Sequence, residues 1–313
     1  MTIPFMVYIV VNTFLVLLIS PFFMGLVKKV KARMQGRRGQ PLLQQYYLLF
    51  KLLKKENIFS IDSSFISRTA PYVNLVFLLA ASLFVPLTFI PAATFGIGNI
   101  ILFLYLMVTA KFFMALGGLD AGSAFGGMGS SREMTISAIF EPVVIIVVAA
   151  LAFVLKTVNI HQMFAETLQA SILTNAALLL ISAALFVVLI TETSRIPVDN
   201  PETHLELTMI HEAMVLEASG PNLALMELSH AIKNTLLMGL LINVLIPWGL
   251  ATELNPAGIV LAMVAFWLKG SLLAIVIGVF ESMMAKSRLF NLRTLFILAF
   301  SLAFLTVVFE LLV

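Results

Sequence analysis

The sequence has no cysteine and very little charge. Without cysteine the chain offers no thiolate to zinc or to an iron–sulfur cluster, and it forms no disulfide. Only 11% of its 313 residues are charged and 61% are hydrophobic, against roughly 25% charged and 45–50% apolar in soluble domains. Those proportions exclude a soluble enzyme and imply an all-α integral membrane protein. There is no internal repeat and no low-complexity tail, so residues 1–313 read as one polytopic membrane domain. The formal charge is +3, and its cations lie beside apolar runs where lipid and topology account for them. Nucleic acid is therefore not expected as a partner.

What is present is a series of long apolar runs. A hydrocarbon layer about 30 Å thick needs roughly 20 residues of helix, and eight segments meet that length: 3–27, 70–90, 98–118, 134–155, 171–191, 229–250, 257–281 and 289–312. The first has no cations before it and Lys28, Lys29, Lys31 and Arg33 straight after it. That fits an uncleaved span with its N-terminus outside rather than a signal peptide. The inner segments are then 28–69, 119–133, 192–228 and 282–293. They hold ten, one, one and three Lys and Arg, fifteen of the nineteen in the chain, as the positive-inside rule requires. Eight spans put both termini outside.

In the first inner segment, Pro41 suits a helix start, and Leu42, Leu43, Tyr46, Tyr47, Phe50 and Leu53 make an apolar side against Gln44, Lys51 and Lys55. An amphipathic interfacial helix follows, either a lipid anchor or a docking shelf for a cytoplasmic partner. The second inner segment has six glycines between Gly117 and Gly129 but lacks the phosphate-loop spacing, so close backbone packing is the better reading. Ser130 and Glu133 stand at capping-box spacing, which predicts that the fourth span starts there, with Arg132 at the water interface.

Ionisable groups at membrane depth are costly unless paired or hydrated, and they mark ion or proton paths by default. Lys111, Glu141 and Lys269 fall within spans, and Asp120, Glu192 and Glu281 at their inner ends. Snorkelling to the interface explains Glu281 and Glu310, and part of Lys111. It does not explain Glu141 or Lys269.

The most charged stretch follows the fifth span. Glu192, Asp199, Glu202, Glu206, Glu212, Glu217 and Glu227 cluster there, with Arg195 as their sole cation. Asn200, Pro201 and Glu202 predict a helix start, and Gly220 and Pro221 its end, giving a helix over 201–218. On its wheel Glu202, Glu206 and Glu217 share one side and His204 and His211 the other. A metal site lacks a third ligand at suitable spacing, a hydrolase lacks a nucleophile elbow, and a plain solvated acidic loop is the bland alternative. Proton handling fits best. One unit charge at about 10 Å and an effective dielectric of about 20 is worth roughly 1.7 kcal/mol, enough to move a neighbouring acid by about one pKa unit.

Together these residues resemble the complex I subunit 1 / formate hydrogenlyase subunit 4 family, the proximal membrane subunit beneath a peripheral redox arm. RMQGRRG at 33–39 followed by KLLKKE at 51–56 resembles the family's first inner-loop motif. LDAGSAFGGMGSSRE at 119–133 with Glu141–Pro142, and ETSRIPVDNPETHLELTMIHEAM at 192–214, are more similar to the membrane-bound nickel–iron hydrogenase branch than to the quinone-reducing one. The resemblance implies a prokaryotic cytoplasmic-membrane subunit that joins an iron–sulfur small subunit and a hydrogenase-like large subunit to antiporter-like membrane subunits. It also implies that the nickel–iron centre and the clusters sit on those partners and that this chain binds no cofactor. Carried over residue by residue, Glu141, Glu192, Asp199, Glu206, Glu212 and Glu217 look like the family's acidic channel. Lys111, Lys269, Asp120 and Glu202 join them as candidates on the ion path. Arg37, Arg38, Lys51, Arg132 and Arg195 are the candidates for docking the redox arm. Gln40 and Leu48 stand where related sequences often have Pro and Asp, so no acid acts at Leu48. The acidic loop differs from the quinone-reducing form by about three residues between Glu206 and Gly220. The alternatives are a quinone-site subunit of a respiratory complex and a stand-alone ion transporter.

Overall fold

The computed structural model describes residues 3–90, 98–169, 175–199, 209–251, 255–287 and 292–312. All regular structure among them is helical apart from two isolated bridges. In order the helices are α1 (Ile3–Met34), α2 (Gln44–Leu53), α3 (Phe65–Ser82), α4 (Ile100–Asp120), α5 (Ala124–Val154), α6 (Ile160–Gln169), α7 (Ala176–Glu192), α8 (His211–Val215), α9 (Gly220–Leu245), α10 (Pro256–Met283) and α11 (Leu292–Leu312). Seven are long and apolar enough to cross a membrane. The eighth expected span is α7, with 17 residues in the helix.

The apolar window of α9 is the most enclosed, 78% of it buried. It packs against α1, α2, α3, α6, α7 and α10, and Asn222, Ser229, Asn234, Thr235 and Asn243 are buried along it. The pair α1/α10 closes one flank, and α11 closes the other against α5 and α7. The helix ends carrying most of the cations meet on one side of the bundle, called here the basic side. Asp120 reaches Ser64 there, Ser219 reaches Ile58, and Lys286 reaches Asp199.

On the opposite side α3 and α9 stop early. Pro86 and Pro247 cannot donate to a helix, and residues 83–90 run irregularly through largely buried surroundings while 246–251 run irregularly with Trp248 exposed. Such backbone survives at membrane depth only where the protein satisfies it. Asn12 does so from the middle of α1, giving its amide to Ser82 O at 2.6 Å and Val85 O at 3.0 Å and accepting from Leu87 N at 3.1 Å. Tyr8 Oη donates to Leu83 O, Asn243 Nδ2 to Pro86 O, and the Ala251 amide to Thr88 O.

Several local expectations are corrected. The first span does not end near 27 but continues to Met34, so Lys28, Lys29, Lys31 and Arg33 ride on its C-terminal turns, where cations suit the helix dipole. The fourth span starts at Ala124, capped by Ser123 Oγ accepting from Gly126 N, and not at the Ser130 capping box. The glycines there are helical. A Cβ on Gly126 would sit 2.2 Å from Gly118 O, and Ser130 Oγ instead donates to Ala115 O at 2.9 Å. In α2 the helix begins at Gln44, after Pro41. Gln45 and Leu52 turn inward while Leu43, Tyr47, Phe50 and Leu53 are exposed, so the apolar face points away from the bundle. The ten-residue α6 was not anticipated.

The predicted helix over 201–218 is also corrected. Residues 200–208 lie outside the described part, and beyond them only His211–Val215 is helical. Asp199 Oδ2 accepts the Ile210 and His211 amides at 3.0 and 3.2 Å, capping this short turn from a preceding loop. Gly220 and Pro221 open α9 instead of closing a helix, with proline at the start where its missing N–H costs nothing.

Candidate functional site

Among the described residues, three ion-pair centres lie between the basic side and the middle of the bundle. The deepest is Glu192, the last residue of α7. One oxygen lies 2.9 Å from Lys111 Nζ of α4, and the other 2.8 Å from Lys233 Nζ of α9. Lys111 also donates to Ser137 Oγ of α5 at 3.0 Å. Three helices thus meet at one carboxylate and α5 joins them through Lys111, and the two ammonium groups lie at the negative end of the α7 dipole. Glu133 of α5 is buried beside them.

The second centre is Glu281 of α10, 2.5 Å from Arg195 Nη1 and 3.7 Å from Lys31 Nζ of α1. The third is Asp199, 2.7 Å from Lys286 Nζ. Between the centres the rings of His211 and His230 approach to 4.3 Å, centroid to centroid. A cavity of about 110 Å³ is walled by Lys28, Lys31, Arg195, Asp199, Glu212, Glu227 and Glu281 together with Ser194 and both histidines. A smaller space of about 30 Å³ touches Lys111, Glu133, Glu192 and Lys233, and it shares Ser194, His211 and His230 with the first. Polar cavities of this size hold water. Burial pushes the Glu212 carboxyl above the usual carboxylate range, with Glu227 and Asp199 adding to the effect and His211 and Lys28 opposing it.

Of the expected path residues, the fold brings Lys111 and Glu192 into contact and sets Asp199 and Glu212 on the neighbouring cavity. Glu141 stands elsewhere, on the wall of a large apolar gap of about 560 Å³ that also reaches Glu192. Glu217 is exposed on the basic side. Glu202 and Glu206 lie outside the described residues. Asp120 is engaged in capping α3: it accepts from Ser64 N at 2.9 Å, Ser64 Oγ at 2.5 Å and Ser67 N at 2.9 Å. Lys269 donates to Ile246 O at 2.9 Å and to Trp248 O, closing the carbonyl end of α9.

Among the expected docking cations, Arg37, Arg38 and Lys51 are exposed. Arg132 donates to Met209 O at 2.9 Å and so ties α5 to the acidic loop. Arg195 is buried in its pair with Glu281. Glu281 is likewise buried and does not snorkel. Sequence points to Lys31 only as a topology cation and to Glu133 only as half of a capping box, and His230, Lys233 and Lys286 are not among its site candidates. For Lys233 a signal existed, an isolated charge in a long apolar run. For His230 and Lys286 only the tertiary fold supplies one.

The family model described as NADH dehydrogenase matches residues 6–311. The chain belongs to the NADH dehydrogenase family. It is 32% identical over 308 residues to hydrogenase-4 component C of Escherichia coli (strain K12), covering 97% of this chain and 95% of that one. It is 28% identical over 282 residues to formate hydrogenlyase subunit 4 of the same strain, covering 90% and 91%. The fold is similar to a chain in the structure of the membrane-bound sulfane sulfur reductase, an archaeal respiratory membrane complex, with a TM-score of 0.77 over 98% of both chains at 17% identity. In this family member the four-helix junction at Glu192 and the histidine pair form one polar zone inside the bundle. Its groups are close enough for each change of charge to be felt by the next.

Proposed function

We propose that this chain is the membrane anchor and coupling subunit of a complex I-like membrane-bound hydrogenase or formate hydrogenlyase. It links electron transfer in a peripheral arm to translocation of protons or sodium ions. The observation that carries this reading is the sharing of Ser194, His211 and His230 by two polar cavities, one lined by Glu281 and Asp199 and the other by Glu192. Buried ion pairs cost several kcal/mol of desolvation per ion and are weak devices for stability. A membrane protein that retains three such centres side by side has a use for their charge.

In this reading the basic side faces the cytoplasm of a prokaryotic cell and both termini lie outside. Arg37, Arg38 and Lys51 stand there beside exposed Tyr47, Phe50, Ile58, Ile61 and Phe65, a mixed surface suited to an iron–sulfur small subunit and a hydrogenase-like large subunit. The nickel–iron centre and the clusters belong to those subunits. This chain has no cysteine, and among its described residues no group of three or more His, Asp or Glu is arranged to hold a metal. Antiporter-like subunits flank it in the membrane and receive the coupled ion.

The steps available to this chain are electrostatic. A charge change at the redox arm is felt at Glu212, whose carboxyl burial holds above the usual carboxylate range. The histidine pair and the water it borders carry the change to Glu192, where Lys111 and Lys233 hold the carboxylate between two donors. Loss or gain of a proton nearby shifts which lysine it favours. Glu202, Glu206 and Glu217 serve the entrance of this route and Glu141 its exit. Replacing Glu141 or Glu192 with Gln in the complex, reconstituted in vesicles, should lower ions moved per electron several-fold while electron transfer persists. Unchanged pumping in both variants would remove these residues from the path.

A further inference from the structure

The large apolar gap beside Glu141 has a defined shape. It lies between α4 and α5, whose two ends are both fastened. On the basic side Gly126 approaches Gly118 so closely that a Cβ would lie 2.2 Å from Gly118 O, and Ser130 Oγ donates to Ala115 O at 2.9 Å. On the opposite side Ile100 N donates to Val158 O at 3.0 Å and Ile160 N to Gly98 O at 2.7 Å. Between these fastenings the helices part. The opening is rimmed by exposed Ile101, Tyr105 and Ile145, and its floor is formed by buried Leu185 and Val188 of α7 and Leu237 of α9.

The space measures about 560 Å³. A transmembrane helix about 10 Å across runs past both faces of the bilayer, so a neighbouring subunit's helix does not enter a gap that α4 and α5 close at both ends. Water does not fill apolar space of this kind, and a void forfeits dispersion contacts along its whole lining. The mouth is a lateral one at membrane depth, facing the region that hydrocarbon occupies around a bundle whose helices carry exposed Ile, Leu and Phe. We propose that the gap between α4 and α5 is a binding site for one acyl chain of a bilayer phospholipid, which enters sideways and lies against Glu141. The chain keeps that wall of the gap dry, so the Glu141 carboxyl exchanges protons with the protein interior and not with water from the mouth. This ligand site does not depend on the ion-coupling reading.

The test uses the purified membrane complex in vesicles of phosphatidylethanolamine and phosphatidylglycerol, doped with a phosphatidylethanolamine carrying a diazirine in mid-chain. After illumination, peptide mapping should find lipid adducts on Leu185 and Val188, which no lipid touching only the outer surface reaches. Ala152→Trp, at the rim, and Val148→Trp, at the floor, should each cut those adducts about fivefold or more by filling the space. Adducts on outward residues of α4 should stay unchanged. The rim variant keeps the test valid if the deeper one does not assemble. Absence of adducts on Leu185 and Val188, or adducts indifferent to both tryptophans, would overturn the proposal. So would loss of the lipid label on adding a long-chain quinone, which would assign the gap to a polyprenyl tail. Capture of a protein segment by a photoreactive side chain placed at Ile145 would overturn it as well.

Discussion

Arg195 Nη1 lies 2.5 Å from Glu281 Oε1, joining the loop after α7 to the end of α10 across 86 residues of sequence. Both side chains are buried and Lys31 approaches the same carboxylate at 3.7 Å. Removing one member of such a pair leaves an unpaired charge in a poorly polarisable place. Glu281→Leu should therefore destabilise the protein by about 3–5 kcal/mol. The double variant Arg195→Met with Glu281→Leu should recover much of that loss. Thermal unfolding of the purified complex checks this, and a double variant no better than the single would show that packing and not charge fixes the contact.

Lys269 gives a way to separate structural from coupling roles. Its ammonium satisfies the Ile246 and Trp248 carbonyls where α9 breaks. Lys269→Met should cost about 1–3 kcal/mol for each acceptor left unsatisfied. It should lower the unfolding temperature while leaving ions moved per electron in the surviving complex unchanged. A pumping defect at full stability would move Lys269 back onto the path.

Glu212 is held above the usual carboxylate range, first by burial and then by Glu227 and Asp199. A group whose folded pKa is raised contributes stability that is complete below its unfolded value of about 4.3 and is lost as pH rises through the folded value. Glu212→Gln should consequently stabilise the protein at neutral and alkaline pH and flatten that part of the pH–stability curve. Hydrogen-exchange protection of α8 measured at several pH values would show it. An unchanged profile would mean that Glu212 is solvated.

His161 on α6 is buried, its ring 5.5 Å from that of Tyr8. Burial pushes its pKa down to about 4 from an ordinary 6.5, with the Leu83 carbonyl opposing. A depressed histidine contributes stability that is complete above its unfolded value and is lost as pH falls from about 6.5 toward 4. His161→Leu should remove that acid sensitivity with little change at pH 8. The measurement is the unfolding midpoint against pH, and parallel curves for the two proteins would contradict it.

Much of the architecture follows from composition. Eight apolar runs predict eight spans because a bilayer admits few ways to satisfy backbone polar groups, and their positions agree with the helices to within a few turns. The ends agree less well. The helix at α1 runs on through cations because a dipole welcomes them, and Gly126 and Gly129 are helical with Gly126 against Gly118 of α4 and Gly129 against Ile210 and α8, neither of which local propensity reveals. The helix-wheel reading of the acidic loop fails for a related reason. It assumes one continuous helix, whereas Asp199 caps a single short turn at His211.

The sequence by itself determined that this protein lives in a membrane, that charge inside it is exceptional, and that Lys111 and Glu192 belong among those exceptions, because the cost of burying an ion is a property of the residue and its surroundings in the chain. Which ions meet was decided only by the tertiary structure. Lys111, Glu192 and Lys233 come from three different helices, and Arg195 finds Glu281, because helix crossings bring together residues that no local periodicity relates.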